Sequence, residues 1–184
     1  MHRRHSVRAL AAAALSALAV AAGSVHAQAL PQPLVDAHHG PRLKEVGSGK
    51  LKWFGLHVYD ARLWAQDGSF AFEQSFALAL RYARDFKGYK IAETSAEEIA
   101  RLGFGSAADR ERWAAQMKRI FPNVAAGHEL VGVNLPGKGV RFYHDDRPIG
   151  EIDDPAFARA FFSIWLDPRT RAGDLRAALL GQKR

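Results

Sequence analysis

Ile149-Gly-Glu-Ile-Asp-Asp-Pro-Ala-Phe-Ala-Arg-Ala-Phe-Phe-Ser-Ile-Trp-Leu-Asp167 is the stretch that decides the fold. Asp154 followed by Pro155 is a helix start: the carboxylate can accept orphan backbone N–H groups, and proline in the first turn has no N–H to leave unpaired. Phe157, Phe161 and Trp165, then Phe162 and Leu166, recur at three- and four-residue spacing and give a heavily aromatic helical face. Such a face must lie against a large apolar surface, which predicts a sheet.

The segments upstream supply that sheet. Glu129–Leu135, Val140–Tyr143 and Ile149–Ile152 are short β-rich runs separated by Pro136-Gly-Lys-Gly139 and His144–Arg147, the pattern of a β-meander. Nearer the N-terminus, Leu43–Gly49 and Lys50–Trp53 read as extended and Phe54–Trp64 as β-rich. Gly47, Gly49 and Gly55 mark bends or close backbone approaches. Phe76, Leu78, Leu80 and Tyr82 alternate with smaller or polar residues, a strand with one large apolar face. Between the two sets lie helices. Thr94-Ser-Ala-Glu97 is a capping-box pattern that predicts a helix to about Leu102, closed by Gly103. Ser106 caps a second, with Trp113, Met117, Ile120 and Phe121 on one face and Pro122 ending it. Leu175, Leu179 and Leu180 mark a last short helix. The order predicts an α+β fold, one curved antiparallel sheet with helices on one side.

Composition bounds what such a domain can do. Arg3, Arg4 and Arg8 precede an uncharged run from Ala9 to Ala22, and Val25-His26-Ala27 is a small-x-small cleavage site, so residues 1–27 read as a signal peptide. The run is too short and alanine-rich for a comfortable membrane span, and the expectation is an exported chain beginning at Gln28 with no stable span after cleavage. Residues 28–41, with Pro31, Pro33 and Pro41, read as an extended lead-in, and 42–184 as a single domain. The chain has 26 basic and 19 acidic residues, and three of the bases lie in the leader, so the excess of seven falls to four without it. The remaining cations are scattered, which argues against nucleic-acid binding. With no cysteine, disulfides, thiol chemistry and a lipoprotein anchor are excluded. Nothing in the chain specifies an oligomeric state.

Val46-Gly-Ser-Gly-Lys50, Phe54–Trp64, Leu80–Gly88 and the Ile149–Leu166 block together resemble the exported bacterial chalcone isomerase-like family. The resemblance implies an open-faced β-sandwich, a large antiparallel sheet backed by helices. It also implies one of two behaviours known in the wider superfamily. Plant chalcone isomerases close a flavanone ring with an Arg, a Tyr, an Asn and a Thr around the substrate. The related fatty-acid-binding proteins hold a carboxylate with an Arg and a Tyr. Carried over by motif, the cation falls at Lys50 or Lys52, the Tyr at Tyr89, one Thr at Phe54, the Asn near Ala96, and the late-helix Thr or Ser near Ile164. Three polar cleft groups thus become apolar, which argues against isomerisation and leaves room for an apolar ligand.

The residues themselves supply few alternatives. Tyr82 sits on the alternating apolar face and is expected in the core, with a hydroxyl that reaches a partner. His57, His128 and His144 stand apart in sequence, without Cys partners or helical i,i+4 pairing, so no metal site is expected. Asp145-Asp146 and Asp153-Asp154 read as turn and cap residues. No phosphate loop or nucleophile elbow is present. No catalytic residue and no cofactor is assigned. The first reading is a noncatalytic binder of a small apolar or amphipathic ligand, such as a fatty-acid-like carboxylate, contacted by Lys50, Tyr89, Tyr82, Phe54 and Ile164. An isomerase or lyase with a diverged cleft and a structural module without ligand remain as alternatives.

Overall fold

The computed structural model describes residues 43–182; the signal-peptide and lead-in readings lie outside them. Six strands and four helices follow in order: β1 Leu43–Trp53, β2 Leu56–Gln66, β3 Phe76–Tyr82, α1 Gly88–Leu102, α2 Ala107–Ile120, β4 Glu129–Leu135, β5 Gly139–His144, β6 Arg147–Ile152, α3 Pro155–Leu166 and α4 Gly173–Leu179. The strands form one open antiparallel sheet in sequence order. The fold is the α+β architecture expected, with the helices on one face.

Alternation along the strands sorts the side chains. Tyr59, Ala61, Leu63 and Ala65 of β2, Phe76, Leu78, Leu80 and Tyr82 of β3, and Val140 and Phe142 of β5 face the helices in one core. The aromatic face of α3 closes on it, with Phe162 at 4.6 Å from Phe76 and Phe161 at 5.2 Å from Phe142, ring centre to ring centre. A smaller cluster of Leu43, Trp64, Ala77, Ala79, Val131, Val133 and Tyr143 occupies the other face.

Local signals set most boundaries. Asp154 Oδ1 accepts the N–H groups of Ala156 and Phe157 at 2.9 and 3.1 Å, the cap read from Asp-Pro. Ser106 and Asp109 form a reciprocal capping box on α2. α1 is the exception. It begins at Gly88, six residues before the Thr94 signal, and no side chain of its own caps it. Instead the Gly88 N–H donates to Asn123 Oδ1 at 3.0 Å. That cap comes from the loop after α2 and leaves no local sequence trace. Ser95 then lies inside the helix, its hydroxyl donating to the Ile91 carbonyl at 2.8 Å.

Gly47 and Gly49 serve close approach. A Cβ at Gly47 would collide with the backbone carbonyls of Ala178 and Leu179, and one at Gly49 would lie 2.9 Å from side-chain atoms of Ala178 and Leu175. The glycines that carried part of the family resemblance therefore seat α4 on β1. No helix among the described residues is long and apolar enough to cross a membrane.

Candidate functional site

The end of the sheet where β2 begins and β3 finishes collects the unusual residues. β1 and β2 are joined by a two-residue turn, with Trp53 paired to Leu56. Phe54 and Gly55 occupy the turn with φ of 47° and 78°. A left-handed φ suits Gly but costs a bulky side chain free energy. Phe54 is also 90 % exposed, Trp53 56 % and Leu56 55 %. Tyr89, 50 % exposed, stands in the first turn of α1, seven residues beyond the Tyr59–Tyr82 pair that ends the β2–β3 ladder. These four are the exposed large apolar side chains among the described residues.

Beneath this rim the core is aromatic and closed. Tyr59 and Tyr82 meet edge to face at 5.8 Å, and Phe86 lies 5.5 Å from Tyr82. Trp165 Nε1 donates to the Tyr59 hydroxyl at 2.8 Å. Burial pushes the Tyr59 phenol up to about 12, against the lowering effect of that hydrogen bond. Burial raises Tyr82 further still, helped by Tyr59. Both phenols are neutral at any physiological pH.

Cations flank the rim. Arg84 and Lys87, in the segment between β3 and α1, are exposed and carry no ion-pair partner among the described residues. Lys90 lies 5.4 Å over the Tyr89 ring and pairs with Glu93 at 3.0 Å.

The five residues singled out in sequence do not form one cleft. Tyr82 is in the core. Phe54 sits at the hairpin tip and lines no floor. Ile164 is partly buried against the core, with its carbonyl accepting the Thr170 hydroxyl at 2.6 Å. Lys50 pairs with Asp60 across β1 and β2 at 3.2 Å. Because Tyr59 and Ala61 face the helices, Asp60 and Lys50 face away from them, so this lysine is not brought to the helix side. His57 reaches the same carboxylate at 3.3 Å. Arg84 and Lys87 stand at the aromatic end with Lys90 and Lys52, the residue before Trp53, and nothing in the local sequence marks Arg84 and Lys87 as different from other surface cations.

A separate cleft of about 360 Å³ lies at the opposite end of the sheet, lined by Phe72, Asn134, Pro155 and Arg159 among others. Its polar groups are already engaged. Asn134 donates to the Phe72 and Gln74 carbonyls at 3.1 and 2.8 Å, and Arg159 stacks over Phe72 at 3.9 Å.

The reading of His128 and His144 as isolated holds only along the chain. The structure brings their rings together beside Asp145, a group able to hold a metal.

The sequence profile of a family described as chalcone isomerase-like matches residues 28–181. A solved fatty-acid-binding protein from Arabidopsis thaliana is similar in structure, with a TM-score of 0.59 at 12 % identity over 79 % of this chain and 90 % of that one. At that identity the likeness is one of fold. No curated protein sequence matches significantly.

Proposed function

This chain belongs to the chalcone isomerase-like family, and from that premise we propose that it is a noncatalytic binder of a small apolar or amphipathic ligand bearing a carboxylate, of the fatty-acid type. In this reading it works outside the cytoplasm, after loss of residues 1–27. The observation that carries the proposal is Phe54, held at a positive φ and almost fully in water. Both features cost free energy, and a strained, exposed aromatic points to a role in contact. Trp53, Leu56 and Tyr89 add apolar surface at the same end of the sheet, and Arg84 and Lys87 offer unpaired positive charge for a carboxylate. The fatty-acid-binding neighbour agrees with this reading. Trp165 donates to the buried Tyr59 hydroxyl, and the raised phenols of Tyr59 and Tyr82 are poor proton carriers at neutral pH, which disfavours an isomerase there.

Trp53 gives the test. Trp64, Trp113 and Trp165 are all buried, so ligand-induced changes in emission report on Trp53. Titration with oleate is expected to give a saturable blue shift, with oleyl alcohol binding more weakly when Arg84 and Lys87 hold the carboxylate. Phe54→Asn should fold at least as stably, because Asn tolerates the left-handed turn, while oleate affinity falls by roughly tenfold, the loss expected for removing one buried aromatic contact. An unchanged spectrum up to the solubility of oleate, or equal affinity in Phe54→Asn, sinks the proposal.

A further inference from the structure

We infer that His128, His144 and Asp145 form a site for a divalent transition metal of the zinc class, independent of the ligand reading above. The topology builds the group. His144 ends β5 and pairs with Leu130 of β4, while His128 immediately precedes β4. Two imidazoles sixteen residues apart therefore meet across one strand pairing, with His144 Nε2 at 3.1 Å from His128 Nδ1. Asp145, the first residue of the β5–β6 turn, brings one oxygen to both rings: Oδ2 lies 3.3 Å from His144 Nε2 and 3.6 Å from His128 Nδ1.

The spacing is that of ligands around one ion. A tetrahedral ion bound at about 2.0–2.1 Å by nitrogen and oxygen keeps its donor atoms roughly 3.3 Å apart. The three edges here, 3.1, 3.3 and 3.6 Å, bracket that value without any rearrangement. The ring-to-ring edge is also a hydrogen-bond length, but the two carboxylate edges are long for charge-assisted N–H···O contacts, which close to about 2.7–2.9 Å. Two imidazoles and one carboxylate suit zinc, copper or nickel better than magnesium or calcium, which prefer all-oxygen shells.

The carboxylate is also held from behind. Asp145 Oδ1 accepts the Glu129 N–H at 2.8 Å, and the Asp145 N–H donates to the Glu129 carbonyl at 3.0 Å. This leaves Oδ2 aimed at the rings, the kind of outer support that fixes metal ligands. Asp145 and Asp146 have φ of 45° and 66°, in a two-residue hairpin turn where Asn, Asp or Gly is usual first and Gly second. Asp at the first position is compatible with the turn and gives the site its charge. Asp145 is exposed and the rings partly so, so an ion can enter from solvent and a water can complete its coordination.

The test uses the untagged chain stripped of metal, titrated with Zn²⁺ against a chromophoric chelator, with Co²⁺ absorption as a second readout of coordination geometry. One zinc per chain is expected. Asp145→Asn keeps the Oδ1 acceptor and suits the turn as well as Asp does, so it separates metal loss from misfolding. It should weaken zinc by roughly tenfold or more, given that even outer-sphere changes cost ten- to a hundredfold. His144→Ala should do the same, with circular dichroism confirming the fold. His57→Ala and the double variant His38→Ala, His39→Ala should bind zinc as the parent does. Saturating zinc should raise the parent's melting temperature and leave that of Asp145→Asn unmoved. Failure of the parent to take zinc, or zinc affinity unaltered in both Asp145→Asn and His144→Ala, overturns the inference.

Discussion

Ser163 is buried on α3, and its hydroxyl has no hydrogen-bond partner among the described residues. A buried hydroxyl in that state carries its desolvation cost uncompensated, about 1–3 kcal/mol. Ser163→Ala removes the hydroxyl, leaves little void and improves helix propensity. It should therefore stabilise the protein by about 1 kcal/mol, read as a higher urea midpoint at unchanged slope. Asp154 is the opposite case. Burial alone would raise its pKa, but hydrogen bonds from Trp113, the Phe157 N–H, Arg112 and the Ala156 N–H outweigh it and hold the carboxylate below the usual range. The folded value is thus below the unfolded one, near 3.9. Its contribution is complete above about pH 4 and is lost as pH falls through the folded value. Asp154→Asn should cost about 1–2 kcal/mol at neutral pH, and the gap to the parent should narrow on acidification, as urea curves at pH 7 and pH 3 would show. A gap independent of pH would mean that the charge contributes nothing.

At the scale of elements, the packing of α4 on β1 depends on bare backbone at Gly47. Gly47→Ala would force a methyl group into the carbonyls that end α4, which are rigid backbone and cannot swing aside. Overpacking of this kind costs about 1–3 kcal/mol. Faster hydrogen exchange should appear across residues 173–179 before the rest of the sheet opens; uniform exchange would show that α4 is not seated through this glycine. How legible each element was follows from where its signals lie. Asp154-Pro155 and Ser106 cap their helices with their own side chains, so α3 and α2 were readable within a residue or two. α1 draws its cap from Asn123, and the local Thr94 pattern pointed to a false start. For the site, Lys50 lay on a strand whose inward face could be fixed only by pairing with β2. Phe54 was readable as part of a bend at Gly55, but its exposure and left-handed backbone were not.

For the whole molecule, the six strands among the described residues pair in chain order, so each hairpin forms from neighbours, and the large excursion of α1 and α2 between β3 and β4 returns to the adjacent position. That topology puts the aromatic hairpin tip, the Arg84–Lys87 segment and the His128–His144–Asp145 group at one end of the sheet. The sequence by itself determined the α+β class, the helix-facing alternation and the aromatic face of α3, because periodicity and side-chain caps are local properties of the chain. Only the tertiary structure decided which cations stand beside the aromatic rim, that Lys50 faces away from the helices, and that two distant histidines meet. Those facts depend on strand register and on loops crossing between elements, and residues that register brings within 4 Å carry no mark of it in their spacing along the chain.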